Sequence, residues 1–261
     1  MLAARRVGPA GPPTIVLLHG LGAASSEWSR VLAVLERRGA ARALAPDLLG
    51  FGRSRRRGGR FRLRDHVDAL TELLEREGAL AAPSTVIGHS FGAAVAVALA
   101  AEQPRLVARL VLVAPPVYAR PAEARRRLVE RSWMTRQTVD GTLSGWLLCT
   151  LVCALRHPLA LAAPLLLPSL PAEVARDAFR HSWRAYRDAV VALLDENPLP
   201  AALAAPSVAT VVVVGLLDET APAAEATAAA APGVRVVELP GGHLLPLTHP
   251  LELAALLQAP R

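Results

Sequence analysis

Short, unbroken apolar runs alternate along the chain with longer stretches of helical spacing. The runs are Thr14 to Leu18, Ala40 to Ala45, Ser84 to Gly88, Arg109 to Ala114, Val208 to Gly215 and Gly233 to Leu239. Runs this short and this uniformly apolar suit strands buried on both faces of a parallel sheet. Between them, Glu27 to Arg38, Leu63 to Glu77 and Phe91 to Glu102 repeat their apolar positions at helical intervals, and the Ala-rich Pro222 to Ala231 and Leu251 to Gln258 complete the series. Pro222 and Pro250 stand where a first helical turn accepts proline. Strand, helix, strand, helix predicts a doubly wound α/β domain with a mostly parallel sheet.

The alternation stops between Val117 and Ala205, where helical pieces follow one another without a clear strand. Pro121 to Trp133 and Pro171 to Leu194 are the best helices there, each opened by proline. An insertion of this kind between two sheet strands predicts a helical cap at 117–205, carried by a core at 1–116 and 206–261. Within it Leu143 to Leu155 is apolar, Arg156-His157-Pro158 intervenes, and Leu159 to Leu170 resumes with Pro164 and Pro168 inside. Each half is too short to cross a bilayer and the break is charged, which predicts a greasy lid and no transmembrane span. The first residues, MLAARRVGPAGPPT, hold no apolar h-region, so a secretory signal is not expected and a cytoplasmic location is.

Composition changes this picture little. With 261 residues, 52% of them hydrophobic, the chain can bury one large core. The net charge of +7 would ordinarily suggest an anionic partner, but all 29 basic residues are arginine, beside heavy use of Ala, Leu and Pro, as a coding bias would produce. The densest basic run, Arg53 to Arg64, contains Arg55, Arg56, Arg57, Arg60 and Arg62, one aromatic (Phe61) and the break Gly58-Gly59; it reads as a solvated loop and no nucleic-acid partner is expected. Cys149 and Cys153 lie one helical turn apart, which suits buried free thiols better than a disulfide framework. No Cys/His metal cluster is visible, and no cofactor is expected.

The sharpest chemical signal is Gly88-His89-Ser90-Phe91-Gly92, which follows one predicted strand and opens one predicted helix. A turn this tight tolerates only tiny side chains two residues either side of the serine, and glycine supplies them. It presents Ser90 above the carboxyl ends of the strands and over a helix N-terminus, which favours developing negative charge. A serine nucleophile needs a base. His19 and His89 sit inside other motifs, and His66, His157 and His181 lie in helical stretches. His243, in Gly241-Gly242-His243 just past the last strand, is preferred over His249, which directly precedes Pro250. The base needs an orienting carboxylate, and Asp218 lies just past the run that ends at Gly215. Val113 to Arg120 contains no acid, and Asp195 falls at a helix end. The chain order Ser, Asp, His is the one this architecture uses. Two backbone donors would hold an oxyanion: the N–H of Phe91, and that of Leu21 in His19-Gly20-Leu21-Gly22.

Taken together these segments resemble the α/β-hydrolase superfamily, in its branch with an inserted cap. His19 to Gly22 resembles the oxyanion loop, Pro46-Asp47-Leu48-Leu49-Gly50-Phe51-Gly52-Arg53-Ser54 resembles the P-D-x-x-G-x-G-x-S loop, and Gly88 to Gly92 resembles the nucleophile elbow. Gly215 to Asp218 and Gly242-His243 resemble the acid and base segments. The resemblance implies Ser90, Asp218 and His243 as a triad working through an acyl-enzyme, without metal or organic cofactor. Only 18 residues precede His19, where such proteins usually have two more strands, so a short or missing sheet edge is expected. Epoxide hydrolases and haloalkane dehalogenases share the pattern but need a carboxylate where this chain has Ser90. Leu147, Leu148, Leu151, Val152, Leu155, Leu165, Leu166 and Leu167 suggest an apolar roof, and Trp28, Trp146 and Leu147 are candidates to line a pocket. The expected substrate is a small hydrophobic acyl or aromatic ester, or a thioester. A carbon–carbon bond hydrolase of a ring-cleavage product, an acyltransferase or perhydrolase, and a non-catalytic or membrane-surface protein with peripheral bilayer contact remain open. The sequence does not give the oligomeric state.

Overall fold

The computed structural model describes residues 1–39, 42–55, 60–118, 120–131, 135–137 and 142–258. Ala40 and Ala41 of the second apolar run, Arg56, Arg57, Gly58 and Gly59 of the basic run, and Trp133 lie outside them. Seven strands form one sheet: β1 (Ala4–Val7), β2 (Ile15–Leu18), β3 (Ala43–Pro46), β4 (Ser84–His89), β5 (Val107–Val113), β6 (Ala209–Gly215) and β7 (Arg235–Leu239). They lie in the order β1-β3-β2-β4-β5-β6-β7. All neighbours are parallel except β1, which runs antiparallel to β3.

The period of two is visible in the core. Val16, Val86, Leu112 and Val212 enter the cluster on one face of the sheet, whereas Leu17, Ile87, Val111 and Val213 enter the cluster on the other. With both faces covered, the central strands have no polar side to show, which is why they read as unbroken apolar runs.

Helix α1 (Ser29–Arg37) joins β2 to β3, α2 (Leu63–Arg76) joins β3 to β4, and α3 (Phe91–Glu102) joins β4 to β5. Between β5 and β6 come α4 (Pro121–Arg131), α5 (Leu143–Ala154), α6 (Arg156–Leu166), α7 (Ala172–Asp177), α8 (Trp183–Asp195) and α9 (Leu199–Ala204). Helix α10 (Ala223–Ala229) joins β6 to β7, and α11 (Leu245–Thr248) and α12 (Pro250–Gln258) follow. Helices α1 and α12 cover one face of the sheet; α2 and α3 cover the other. Ten of the twelve residues of α3 are buried, because FGAAVAVALAAE offers small apolar side chains all round and packs on the sheet, α2 and α8 at once.

Three features differ from the sequence reading. First, β1 is a strand that the apolar runs did not predict. It has four residues, two of them arginine, and its pairing is antiparallel at the sheet edge. The edge is therefore short and charged, as an exposed edge strand needs to be. Arg6 pairs with Glu77 of the α2 C-terminus, and Arg5 with Glu173 of α7. Second, Pro171 to Leu194 is not one helix. The chain leaves helical geometry between α7 and α8, where Ser182 caps α8 by accepting the Ala185 N–H at 3.1 Å. His181 therefore lies in an isolated bridge to Phe51, not in a helix. Third, the break between the two apolar stretches of the insertion falls at Leu155, and α5 and α6 turn 88° to one another there. Among the described residues no single helix is long and apolar enough to cross a membrane.

Three histidines are buried without becoming cations. His66 packs edge-on against Phe91 at 5.3 Å between ring centres. Burial pushes its pKa down to about 3 and that of His181 down to about 4, and burial also lowers His19. Unfolded histidine titrates near 6.5, so on acidification the unfolded chain takes up protons that these folded imidazoles refuse. Their contribution to stability is therefore whole above about pH 6.5 and falls as the pH drops towards the folded values. By pH 5 the loss should reach about 2 kcal/mol for each of His66 and His181. Urea unfolding of the native chain and of His66→Leu at pH 7.5 and pH 5 checks this; the variant should lose less stability between the two pH values by that amount.

Candidate active site

The strand-to-helix turn after β4 holds Ser90 at φ +50°, ψ −117°, a conformation that L-residues rarely adopt. Close backbone approach explains the two flanking glycines. A Cβ on Gly88 would stand 2.3 Å from the carbonyl oxygen of Gly92, and one on Gly92 would stand 2.4 Å from that of Leu18. The Ser90 N–H donates to the Val113 carbonyl at 2.9 Å, which fixes the turn against β5.

The carboxyl end of β6 supplies the acid. Asp218 Oδ1 accepts the N–H groups of Thr220 and Ala221 at 2.8 and 2.9 Å, leaving Oδ2 to face His243 Nδ1 at 2.8 Å. Burial alone would raise this carboxyl's pKa. The His243 bond and the two backbone donors outweigh it and hold Asp218 below the usual carboxylate range. The turn after β7 supplies the histidine. Gly215 and Gly241 let the β6 and β7 ends touch, for a Cβ on Gly215 would lie 2.4 Å from the Gly241 carbonyl oxygen. His243 Nε2 then lies 3.1 Å from Ser90 Oγ. The carboxylate, imidazole and hydroxyl thus stand in series, and the competing His249 instead bonds Thr248 Oγ1.

A cavity of about 230 Å³ opens over Ser90. Residues past the ends of β2, β4, β5, β6 and β7 line it, as does the insertion through Leu128 of α4, Thr135, and Tyr186 and Leu193 of α8. The Tyr186 and Thr135 hydroxyls bond each other at 2.7 Å, and Tyr118 donates to the Thr220 carbonyl. Leu21 lines the cavity and Phe91 follows the serine. Among the described residues, neither backbone N–H meets an acceptor, so both remain available to a bound oxygen.

Beneath the serine lies a pair that the sequence reading missed. Glu27, in the turn Ser25–Trp28, reaches His89 Nδ1 at 3.0 Å, and the two side chains are 4% and 2% exposed. The other Glu27 oxygen accepts the Gly20 N–H at 2.9 Å, and His89 Nε2 donates to the His243 carbonyl at 2.9 Å. Burial opposes both charges, but each group stabilises the other: His89 is raised above the usual histidine value and Glu27 lowered below the usual carboxylate one. The two shifts favour the charged forms of both groups, and the pair ties together the Gly20 loop, the serine turn and the histidine loop. A carboxylate immediately before a buried tryptophan was the available signal, but its partner lies 62 residues away.

The pocket candidates Trp28, Trp146 and Leu147 are corrected. Trp28 is fully buried with Ile15, Leu17 and Ile87 in one core cluster and does not reach the cavity. Trp146 and Leu147 lie half-exposed on α5, and neither they nor the other proposed roof leucines line the cavity. Among the described residues no group of three or more His, Cys, Asp or Glu side chains is placed to hold a metal ion.

Comparison with known proteins gives a consistent result. The profile of the Alpha/beta hydrolase family matches residues 15–256. Lipase LipV of Mycobacterium tuberculosis is 36% identical over 151 residues, which are 51% of this chain and 56% of that protein. The 2-hydroxymuconate semialdehyde hydrolase of a Pseudomonas species is 37% identical over 104 residues, 38% of this chain and 35% of that protein. The chain thus spans about a third to about half the length of these curated relatives. The crystal structure of the enol-lactonase from Burkholderia xenovorans superimposes with a TM-score of 0.71 at 24% identity, covering 98% of this chain and 94% of that one, a likeness of fold.

Proposed function

The chain belongs to the Alpha/beta hydrolase family, and from that membership we propose that it is a serine hydrolase that cleaves esters or thioesters of short hydrophobic acyl or aromatic acids through an acyl-enzyme. The observation that carries this reading is the series Asp218–His243–Ser90, with spacings of 2.8 and 3.1 Å, at the floor of a cavity. His243 Nε2 takes the Ser90 proton as Oγ attacks the carbonyl carbon. The Leu21 and Phe91 N–H groups receive the oxyanion, and Asp218 holds the histidine tautomer and stabilises its cation. The alcohol or thiol leaves with the proton from His243. A water deprotonated by the same imidazole then attacks the acyl carbon and frees the acid and Ser90.

Cavity size sets the substrate class. At about 230 Å³ it is smaller than the roughly 300–1,000 Å³ of sites for drug-sized ligands. Its apolar wall of Leu21, Pro116, Leu128, Leu193 and Leu244 suits a short chain or single ring. On this reading residues 117–205 act as a cap whose α4 and α8 close the acyl site. In a series of p-nitrophenyl esters, kcat/KM should peak at short acyl chains and fall by about tenfold or more once the chain outgrows the cavity. A maximum at long chains would refute the size argument.

A second reading is favoured by the likeness to 2-hydroxymuconate semialdehyde hydrolase: hydrolysis of a carbon–carbon bond in a ring-cleavage product. Turnover of a vinylogous diketone with no turnover of any ester would select it.

A further inference from the structure

A larger cleft, of about 520 Å³, opens away from Ser90, between the loop after β3 and helices α6 and α7. Arg53, Arg55, Arg156, Arg176, Arg180 and His157 line it, and no carboxylate does. Arg53 and Arg180 each bond a buried carboxylate behind the wall, Asp47 and Asp177, at 3.1 Å. The Arg156 Nε is buried and meets no acceptor among the described residues. The guanidinium groups that line the cleft are suited to hold an anionic oxygen there.

One wall of this cleft continues into an apolar face. Leu161, which lines the cleft, is 79% exposed, and Leu165, one helical turn on, is 85% exposed. Across the 88° corner at Leu155, helix α5 presents Trp146, Leu147 and Leu151, each about half exposed. Arg156 and His157 sit at the corner itself, so the cationic and apolar surfaces share an edge.

We propose that this surface docks the protein on an anionic bilayer, with Trp146 and the leucines entering the boundary of headgroups and acyl chains and the arginine cleft receiving lipid phosphate. Charge complementarity selects this occupant. A second copy would instead bring a like-charged surface, since each chain carries a net charge of +7 and arginines line this edge. Neither helix spans alone, since helices of 12 and 11 residues rise about 18 and 16 Å against a hydrocarbon core of about 30 Å, and the 88° bend keeps the two from lining up as one straight span. A bent pair that exposes Trp146 and leucines on both arms, with Arg156 and His157 at its corner, is suited to lie in the interface.

The test is co-sedimentation of the full chain with vesicles of phosphatidylcholine alone and of phosphatidylcholine with phosphatidylglycerol. Its readout does not depend on the proposed hydrolytic activity. The native chain should partition to the anionic vesicles at least about tenfold more strongly. Leu161→Ser with Leu165→Ser, and separately Arg156→Ser with Arg176→Ser, should each lower that partition about tenfold while circular dichroism stays unchanged. Failure of the native chain to sediment, or equal partition to both vesicles, overturns the proposal. So does a dimer, seen by light scattering, that the leucine pair of substitutions dissolves, because a second copy would then cover the face. Protection against thermal unfolding by inorganic phosphate, without vesicle binding, would make the cleft a small-anion site and also overturn it.

Discussion

Ser90→Ala should lower turnover of a p-nitrophenyl ester by about 10⁴-fold or more, while the folded chain keeps its stability. Loss of a triad nucleophile removes the covalent route but leaves substrate binding and the oxyanion donors in place, so a residue of activity above the uncatalysed rate is expected. The substitution removes one oxygen from a half-buried side chain whose only described partner is His243 Nε2, at 3.1 Å. Alanine meets the same backbone penalty at φ +50° that serine already bears. Steady-state rates should be read beside intact mass after treatment with a fluorophosphonate: one adduct on the native chain, none on the variant. A variant that keeps the native rate would remove Ser90 from the mechanism, and with it the acyl-enzyme.

The second large effect belongs to Glu27→Gln. The amide keeps an acceptor for the Gly20 N–H but removes the anion beside His89. Breaking a buried pair by removing one partner costs about 3–5 kcal/mol, because the other charge is left unpaired. The sign with pH follows from the two shifts. Glu27 is lowered, so its contribution is present above the ordinary glutamate value and lost as the pH falls through the folded one. His89 is raised, so its contribution is whole below the ordinary histidine value and lost as the pH rises through the folded one. The pair therefore contributes fully between about pH 4.5 and 6.5. Urea unfolding should show the difference between native chain and variant at its largest at pH 6 and smaller at pH 9. The turnover rate should also fall, by up to about 100-fold, because loops that carry the oxyanion donor and the base lose their common anchor. A variant of unchanged stability at pH 6 would show that the pair is not ionised.

Much of this architecture was legible because local chemistry and global position coincide. Val208 to Gly215 reads as a buried parallel strand, and from Ala209 on it is one, buried from Thr210 to Gly215. Gly88 and Gly92 read as room for a tight turn, and the distances a Cβ would meet there explain why. Asp218 and His243 could be singled out because a serine nucleophile would need a base and an orienting acid at strand ends, and few residues qualify; the structure sets both in line with Ser90. What the sequence did not reveal has a common cause: it depends on which way a side chain faces, or on partners far along the chain. The strand β1 has no apolar run because it pairs at an edge. Helical spacing shows that Trp146 and Leu147 share a face with other leucines, but spacing is silent on whether that face turns towards the cavity. The pairing of Glu27 with His89 needs the sheet to be assembled first. The break before α8 was readable in principle, since Ser182 is a capping residue, but continuous periodicity from Pro171 to Leu194 masked it.

The burial of α3 governs how far its field is screened. With ten of its twelve residues out of water, the helix that begins at Phe91 directs its N-terminal partial charge towards Ser90 through a medium of low polarisability. Mobile ions cannot enter that path. The arginine cleft and the corner of α5 and α6 lie in solvent, where a Debye length of about 8 Å at physiological ionic strength shortens the reach of every charge. Ionic strength therefore acts on the two sites unequally: it weakens whatever the arginines hold more than it weakens the field of the helix at the serine.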